Sequence, residues 1–228
     1  MFKNIIKVLA QILCRFIIFV LGWHSLDKQV VSRLQKNPRT VLVFSHTSYC
    51  DFYIMLLYKI AFSSDLYDVK VIVKPEPFKY AGPFLRALGA IPAGSVENKN
   101  SGTTQAIVEE LRKYQHFCLL ISPKGSIDKK PWRLGYYHIA KELQIPIMVV
   151  GLDYEKKKVW ISLDYIMDQD EEIIRKYLYK ELAEIVPLFP ADEVVEIRPH
   201  DQKKRNVISG WRLIIIFVVS SILYRKIF

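Results

Sequence analysis

The sequence predicts an α/β fold: a twisted, mostly parallel sheet flanked by helices, with an N-terminal amphipathic helix and a C-terminal membrane helix. Short apolar runs rich in Val and Ile alternate along the chain with segments of helical periodicity. This alternation is typical of parallel strands joined by crossover helices. The two ends depart from the pattern, because each is dominated by Ile, Leu, Val and Phe with basic residues between them. We therefore expect three units, over residues 1–23, 24–200 and 201–228.

Length and composition limit the kinds of protein that the chain can be. Its 228 residues suffice for one globular domain with a substantial core and short appendages. The 51% hydrophobic content and the net charge of +10 suit an anionic membrane surface or nucleic acid as partner. The basic residues are spread among apolar segments without a recognition motif for nucleic acid, which favours the membrane. Three scattered cysteines exclude a disulfide framework and indicate a reducing compartment.

Residues 1–23 are predicted to form a membrane-interface amphipathic helix. A polar side chain recurs at every fourth position, at Lys3, Lys7, Gln11 and Arg15. The uncharged run from Phe16 to Trp23 is much shorter than the roughly 20 residues that a membrane span requires. We expect the helix to lie in the plane of the lipid interface, with its lysines toward the headgroups. A signal peptide and a helix packed on the core of the domain itself are the alternatives.

The next segments lead into the first predicted strand. Residues 27–36 form an amphipathic connector, which Asn37-Pro38 closes because this pair favours a turn. Residues 41–44 are apolar and rich in β-branched side chains, which predicts a buried strand. An apolar, helix-like segment follows over 52–58. The chain therefore opens its domain with a strand that leads through a short loop into a helix.

Turn residues divide the following stretch. Residues 67–74 alternate and are rich in Val, which predicts a second strand. Three prolines within 75–83 predict a loop, and 84–88 a short helical turn. Residues 89–94 are expected to form a brief strand that ends in a turn. The polar segment 95–102 is expected to be exposed.

The second half continues the alternation of helix and strand. A helical pattern over 103–114 turns three apolar side chains inward, those of Ile107, Val108 and Leu111. Apolar runs predict three further strands, over 117–122, 146–152 and 158–163. Helical periodicity predicts two further helices, over 134–143 and 170–186.

The C-terminal unit, 201–228, is predicted to be a basic linker and a membrane anchor. The segment from Val207 to Leu223 contains one charged residue, Arg212. Its seventeen residues lie at the lower limit for crossing the hydrocarbon layer, and Arg212 could reach the interface from near one end. A tightly inserted, hairpin-like segment and a buried strand are the alternatives. Basic residues flank both ends, so that charge does not predict an orientation.

His46 and Asp51 form the candidate catalytic pair. His46 follows the predicted strand 41–44 at its carboxyl end, where open α/β sheets bind their ligands. Asp51 lies five residues on, so that its carboxylate can accept the ring N–H that faces away from a substrate. This would fix the tautomer and leave the other nitrogen free as a general base. The alternative is a helix-capping aspartate beside a hydrogen-bonded histidine that has no chemical role.

Several segments, in the right order, resemble the motifs of the glycerolipid and lysophospholipid acyltransferases. The segment from His46 to Asp51 is similar to the family motif His-x-x-x-x-Asp, and the segment from Ser122 to Ser126 stands in the place of the block Pro-Glu-Gly-Thr. The segment from Gly89 to Pro92 resembles the intervening Gly-x-Ile/Phe motif. The segment from Ile145 to Val150 resembles the final block, Val-Pro-Ile-Val-Pro-Val. Residues 132–140 also resemble the stretch after the third block in a bacterial-type branch.

The resemblance implies a membrane-bound O-acyltransferase similar to 1-acylglycerol-3-phosphate acyltransferases. A fatty acyl group would pass from acyl-CoA or acyl carrier protein to the hydroxyl of a lysophospholipid such as lysophosphatidic acid. His46 would be the general base and Asp51 would orient it, without a covalent intermediate on Cys50. Gly125 and its neighbours would offer N–H groups to the oxyanion. The residues expected to bind substrate are Ser48, Gly89, Pro92, Lys124, Gly125 and Ser126.

Two departures from the family pattern bear on the acceptor. Lys124 stands where the family has Glu, and no Arg follows Pro92 where the family commonly has one that binds the acceptor phosphate. Lysine offers a point charge in place of the bidentate fork of arginine, so that Lys124 is the candidate phosphate ligand. The alternative is an acceptor that has no phosphate at this position. These departures keep a second hypothesis open: a catalytically altered protein that binds lipid or acyl-CoA on the same scaffold.

The remaining expectations concern cofactors, partners and location. The sequence has no cluster with metal-ligand spacing, so we expect no metal and no other cofactor, with acyl-CoA as a co-substrate. The expected partners are a phospholipid membrane and the two substrates, and not nucleic acid. We expect a membrane-associated protein with its catalytic domain on the cytoplasmic side.

Overall fold

The computed structural model describes residues 2–65, 68–94, 103–125, 131–162, 166–167 and 170–188. The segment 95–102, Ser126 and the C-terminal unit 201–228 lie outside the described residues. The membrane helix and the exposed loop predicted there therefore stay predictions, as do the bounds of the three units.

Seven helices and six strands form the described part of the chain. The helices are α1 (Phe2–Val20), α2 (Lys28–Lys36), α3 (Tyr49–Ala61), α4 (Phe78–Ala87), α5 (Thr103–Arg112), α6 (Gly135–Leu143) and α7 (Glu171–Ala183). The strands are β1 (Arg39–Val43), β2 (Val69–Val73), β3 (Ala90–Pro92), β4 (Phe117–Ile121), β5 (Ile147–Asp153) and β6 (Lys158–Ile161). The strand order is β3-β2-β4-β1-β5-β6, and all neighbours are parallel except β5 and β6. The predicted α/β class with a mostly parallel sheet is confirmed.

Helices cover both faces of the sheet, which explains why its central strands are mostly apolar. All five residues of β4 are buried, as expected for a parallel strand between two helical layers. Because side chains alternate along β1, Val41 and Val43 join the core under α5, α6 and α7. Leu42 points the other way and joins the core under α1, α2 and α3.

The loop predicted over 75–83 is wrong, because α4 begins at Phe78 and contains Pro83. The helix is interrupted at Ala81, whose φ of −128° and ψ of 26° are not helical. Pro83 follows this break by two residues and lies in the first turn of the second half. A proline there breaks no intrahelical hydrogen bond, since the N–H groups of a first turn have no partner within the helix.

Helix α1 packs one face on the domain and exposes the other. Gln11 donates hydrogen bonds to Ser63 and Ser64 at 2.9 and 2.6 Å, and Arg15 forms an ion pair with Asp65 at 3.0 Å. Half of the predicted polar stripe therefore faces the end of α3 rather than lipid headgroups, since these side chains find partners on the protein. The exposed apolar side chains are Ile5, Ile6, Val8, Leu9, Ile12, Leu13, Phe16, Phe19 and Val20. No helix within the described ranges has the length and apolar character needed to cross a membrane.

Candidate active site

Two adjacent central strands bring the candidate residues to one edge of the sheet. Strand β1 ends at Val43 and leads through His46 to α3, while β4 ends at Ile121 and leads to Lys124 and Gly125. The Phe44 N–H donates to the Ile121 carbonyl at 3.1 Å, so that the two loops start side by side. This is the carboxyl edge, where parallel sheets bind their ligands.

His46 and Asp51 are in contact, as the sequence predicted. His46 Nδ1 lies 3.2 Å from Asp51 Oδ2. The Asp51 residue is only 2% exposed, whereas the side chain of His46 keeps 20% of its surface accessible. The second ring nitrogen of His46, Nε2, points away from the carboxylate. The geometry is that of an oriented general base with a buried carboxylate behind it.

Asp51 also caps α3, so that the capping alternative is confirmed and is compatible with the contact to His46. It is the third residue after the N-cap Ser48, and its Oδ2 accepts the backbone N–H groups of Thr47 and Ser48 at 2.7 and 2.9 Å. Its Oδ1 accepts the hydroxyls of Ser48 and Tyr154 at 3.1 and 2.7 Å. Burial raises the pKa of Asp51, but the hydrogen bonds, with that from His46 the largest, outweigh burial and leave the pKa below its usual value.

Tyr154 is a member of the site that the sequence analysis missed. It follows Asp153, the last residue of β5, and it therefore lies at the carboxyl end of a strand that pairs with β1. In the sequence, Tyr154 is marked only as a polar aromatic residue at the end of an apolar run. This pattern does not show that β5 lies next to β1, so the sequence alone could not assign Tyr154 to the site.

Three of the residues predicted to bind substrate, Ser48, Lys124 and Gly125, lie at this edge. The N–H and the hydroxyl of Ser48 are both directed to Asp51. Lys124 is only 7% exposed, and Gly125 is exposed with a φ of +65°. The Gly125 N–H donates to the Ser122 carbonyl at 3.0 Å, so that an oxyanion would take its donor from neighbours of Gly125.

Gly89 and Pro92 stand apart from His46. Gly89 precedes β3 at the amino edge, and with a φ of +78° a Cβ there would lie 2.6 Å from the Val69 carbonyl oxygen. The position therefore needs glycine for its backbone conformation. Pro92 ends β3 at the carboxyl edge, but three strand spacings, about 14 Å, separate β3 from β1. The structure does not bring Gly89 together with the other site residues.

Cys50 lies next to Asp51 in α3 and is buried. Burial and, second, the charge of Asp51 raise the pKa of its thiol, against a smaller opposing effect of Ser48. The thiol therefore stays protonated near neutral pH and is a poor nucleophile. Among the described residues, no group of three or more His, Cys, Asp or Glu side chains could hold a metal ion.

A protein-family model described as Acyltransferase matches residues 26–153, more than half of the chain. The matched range contains β1 to β5 with His46, Asp51 and Lys124, and it ends one residue before Tyr154. No curated protein matches the chain.

Proposed function

Because the chain belongs to the glycerolipid acyltransferase family, we propose that it is a membrane-bound O-acyltransferase that acts on lysophospholipids. The acyl donor is acyl-CoA or acyl carrier protein, and lysophosphatidic acid is the first acceptor to test. The observation that carries the proposal is the contact between His46 and Asp51, with Nε2 of His46 turned away from the carboxylate at the edge of the sheet.

The chemistry requires a base at this point, since an alcohol is a poor nucleophile at neutral pH. Nε2 of His46 takes the proton of the acceptor hydroxyl as its oxygen attacks the thioester carbonyl. The tetrahedral intermediate then expels the thiolate, the carbon–sulfur bond breaks, and the imidazolium returns the proton to the leaving sulfur. The products are an ester and a free thiol. Asp51 holds the ring and stabilises the imidazolium, as the carboxylate does in a catalytic triad.

Lys124 supports an anionic acceptor. Lys124 is buried in the loop after β4, and this loop lies next to the loop that carries His46. A cation held in such surroundings attracts phosphate more strongly than one in water, because the local dielectric is lower. In this proposal Lys124 binds the phosphate group of the acceptor.

The exposed face of α1 supports a lipid bilayer as partner. Gln11, in the middle of α1, donates a hydrogen bond to Ser63, just after the end of α3. Trp23, just after α1, contacts Tyr154. The hydroxyl of Tyr154 in turn binds Asp51 in the first turn of α3. Helix α1 therefore runs antiparallel to α3 and ends near the candidate pair. Large apolar side chains cover its outer face, and insertion of this face would bring the site to the membrane surface, where both lipid substrates reside.

The net charge and the thiols support the location that we propose. The charge of +10 favours an anionic leaflet, and the three cysteines are free, as expected in a reducing compartment. We therefore place the catalytic domain on the cytoplasmic side.

The test is product formation by the purified full-length protein in lipid nanodiscs, with labelled acyl-CoA or acyl carrier protein. The acceptors are lysophosphatidic acid, other lysophospholipids and neutral alcohols. We expect an ester product, and we expect His46→Ala to lower the rate by about 10²–10⁴-fold, the usual contribution of a general base. The variant must keep its circular dichroism spectrum and its membrane binding.

A binding protein without turnover is the second candidate function, and Lys124 in place of the family Glu is the observation that favours it. It predicts bound lipid or acyl-CoA and no ester with any donor or acceptor. That outcome, obtained with a folded wild-type protein, would reject the proposal that the protein is an acyltransferase.

A further inference from the structure

The two oxygens of the Asp51 carboxylate have different partners. Oδ2 faces His46 Nδ1 at 3.2 Å, and Oδ1 accepts the hydroxyl of Tyr154 at 2.7 Å. Tyr154 is 103 residues away along the chain, directly after β5, the strand that pairs with β1. Because each oxygen is held separately, the plane of the carboxylate cannot turn without loss of one of these bonds.

Tyr154 is itself held firmly. Its ring meets the edge of the Trp23 ring with centroids 5.2 Å apart, and its N–H donates to the Val186 carbonyl at 2.8 Å. The same turn carries Lys157, whose ammonium donates to the Leu21 carbonyl at 3.2 Å. The hydroxyl of Tyr154 therefore has a fixed position before substrate binds, which is the condition for a preorganised site.

The hydroxyl does more than is needed to cap α3. The capping contacts of Asp51 do not need Tyr154, because Oδ2 accepts the backbone N–H groups of Thr47 and Ser48, just before the helix. Burial and then the charge of Asp51 raise the pKa of Tyr154, so that it stays a donor at every working pH. Its bond takes up part of the negative charge of the carboxylate, which would otherwise stabilise a protonated His46 more strongly.

We propose that Tyr154 is a positioning residue of the site, which orients Asp51 and through it the ring of His46. The role in turnover rests on the proposed acyl transfer. The titratable groups that face Asp51 are His46 from the loop after β1, Cys50 from α3 and Tyr154 from the end of β5. Trp23, shortly after α1, packs on Tyr154 with a ring that does not titrate.

Tyr154→Phe tests the proposal, and Tyr58→Phe is its matched control. Tyr58 is buried and its ring lies 6.3 Å from that of Trp23, but its hydroxyl donates to the His24 carbonyl instead of a carboxylate. For Tyr154→Phe we expect kcat to fall roughly 10- to 100-fold with little change in KM, the loss typical of a misplaced catalytic group. We also expect the acid limb of the pH profile to move to higher pH. Tyr58→Phe should lower only the melting temperature.

Nitrogen NMR of labelled histidine supplies a readout that does not depend on turnover. The His46 signals are identified by their loss in His46→Ala, and their titration is followed in the wild type and both variants. A shift of this titration in Tyr154→Phe alone supports the proposal, even if the wild type forms no ester and the proposed function fails. The proposal would be overturned if Tyr154→Phe kept the His46 titration and the kinetics of the wild type. It would also be overturned if Tyr58→Phe changed both to the same extent as Tyr154→Phe.

Discussion

At the scale of single residues, Asp51 shows how one side chain serves both the fold and the site. As the third residue of α3 it accepts the N–H groups that precede the helix, and as the partner of His46 it orients the ring. A carboxylate is well suited to both tasks, since it can accept several hydrogen bonds at once. Its consequences for stability and for chemistry can therefore be tested with the same substitution.

Asp51→Asn should change how stability depends on pH. The pKa of Asp51 is lower in the folded protein than in the unfolded chain, so the carboxylate stabilises the fold above the unfolded value, about 4, and this contribution is lost as pH falls. We expect the variant to lose about 1–3 kcal/mol of unfolding free energy at pH 7, as for a buried hydrogen-bonded charge. Urea unfolding between pH 3 and 7 measures this. If the variant lost the same unfolding free energy at every pH, the stabilisation would not come from the charge of Asp51.

Lys124→Glu, which restores the residue of the family pattern, should change acceptor preference. Lys124→Met, the control that removes the charge without reversing it, should lower kcat/KM for lysophosphatidic acid roughly 10- to 100-fold, the value of one hydrogen bond to a charged group. Lys124→Glu should lower it further, because its carboxylate also repels the phosphate, and both variants should change kcat/KM for a neutral monoacylglycerol much less. Equal losses with both acceptors would exclude Lys124 as the phosphate ligand.

At the scale of elements, α1 illustrates how a polar stripe can face the protein. Gln11 and Arg15 bind the end of α3, and the opposite, apolar face is left exposed. In a helix of a water-soluble domain this outer face would carry polar side chains instead. The lipid partner that we propose follows from its apolar side chains.

Ile12→Asp should weaken membrane binding. Ile12 is 59% exposed in α1, and Ile173 is 51% exposed in α7, so that Ile173→Asp is a control of the same chemistry at another surface. We expect Ile12→Asp to lower binding of the full-length protein to vesicles of anionic phospholipid by roughly tenfold or more, since the burial of an isoleucine contributes about 1.5–3 kcal/mol. Co-sedimentation measures it. If both variants bind alike, α1 does not contact lipid.

At the scale of the whole molecule, the strand order assembles the site. Strands β4, β1 and β5 are neighbours at the centre of the sheet, and their carboxyl ends carry Lys124, His46 and Tyr154. Residues from three distant parts of the chain therefore meet at one edge. Helical layers on both faces bury the strands that hold them.

The amino-acid sequence alone was enough for what depends on neighbours along the chain. Periodicity indicated most helices and strands, and the spacing of His46 and Asp51 predicted their contact, since a loop and one helical turn join them. It failed over 75–83, where the break at Ala81 lets a helix contain Pro83. It also could not show that Tyr154 binds Asp51, that Gly89 lies at the opposite edge, or which way the stripe of α1 faces. Those facts depend on strand order and on packing between distant segments, which local patterns do not encode.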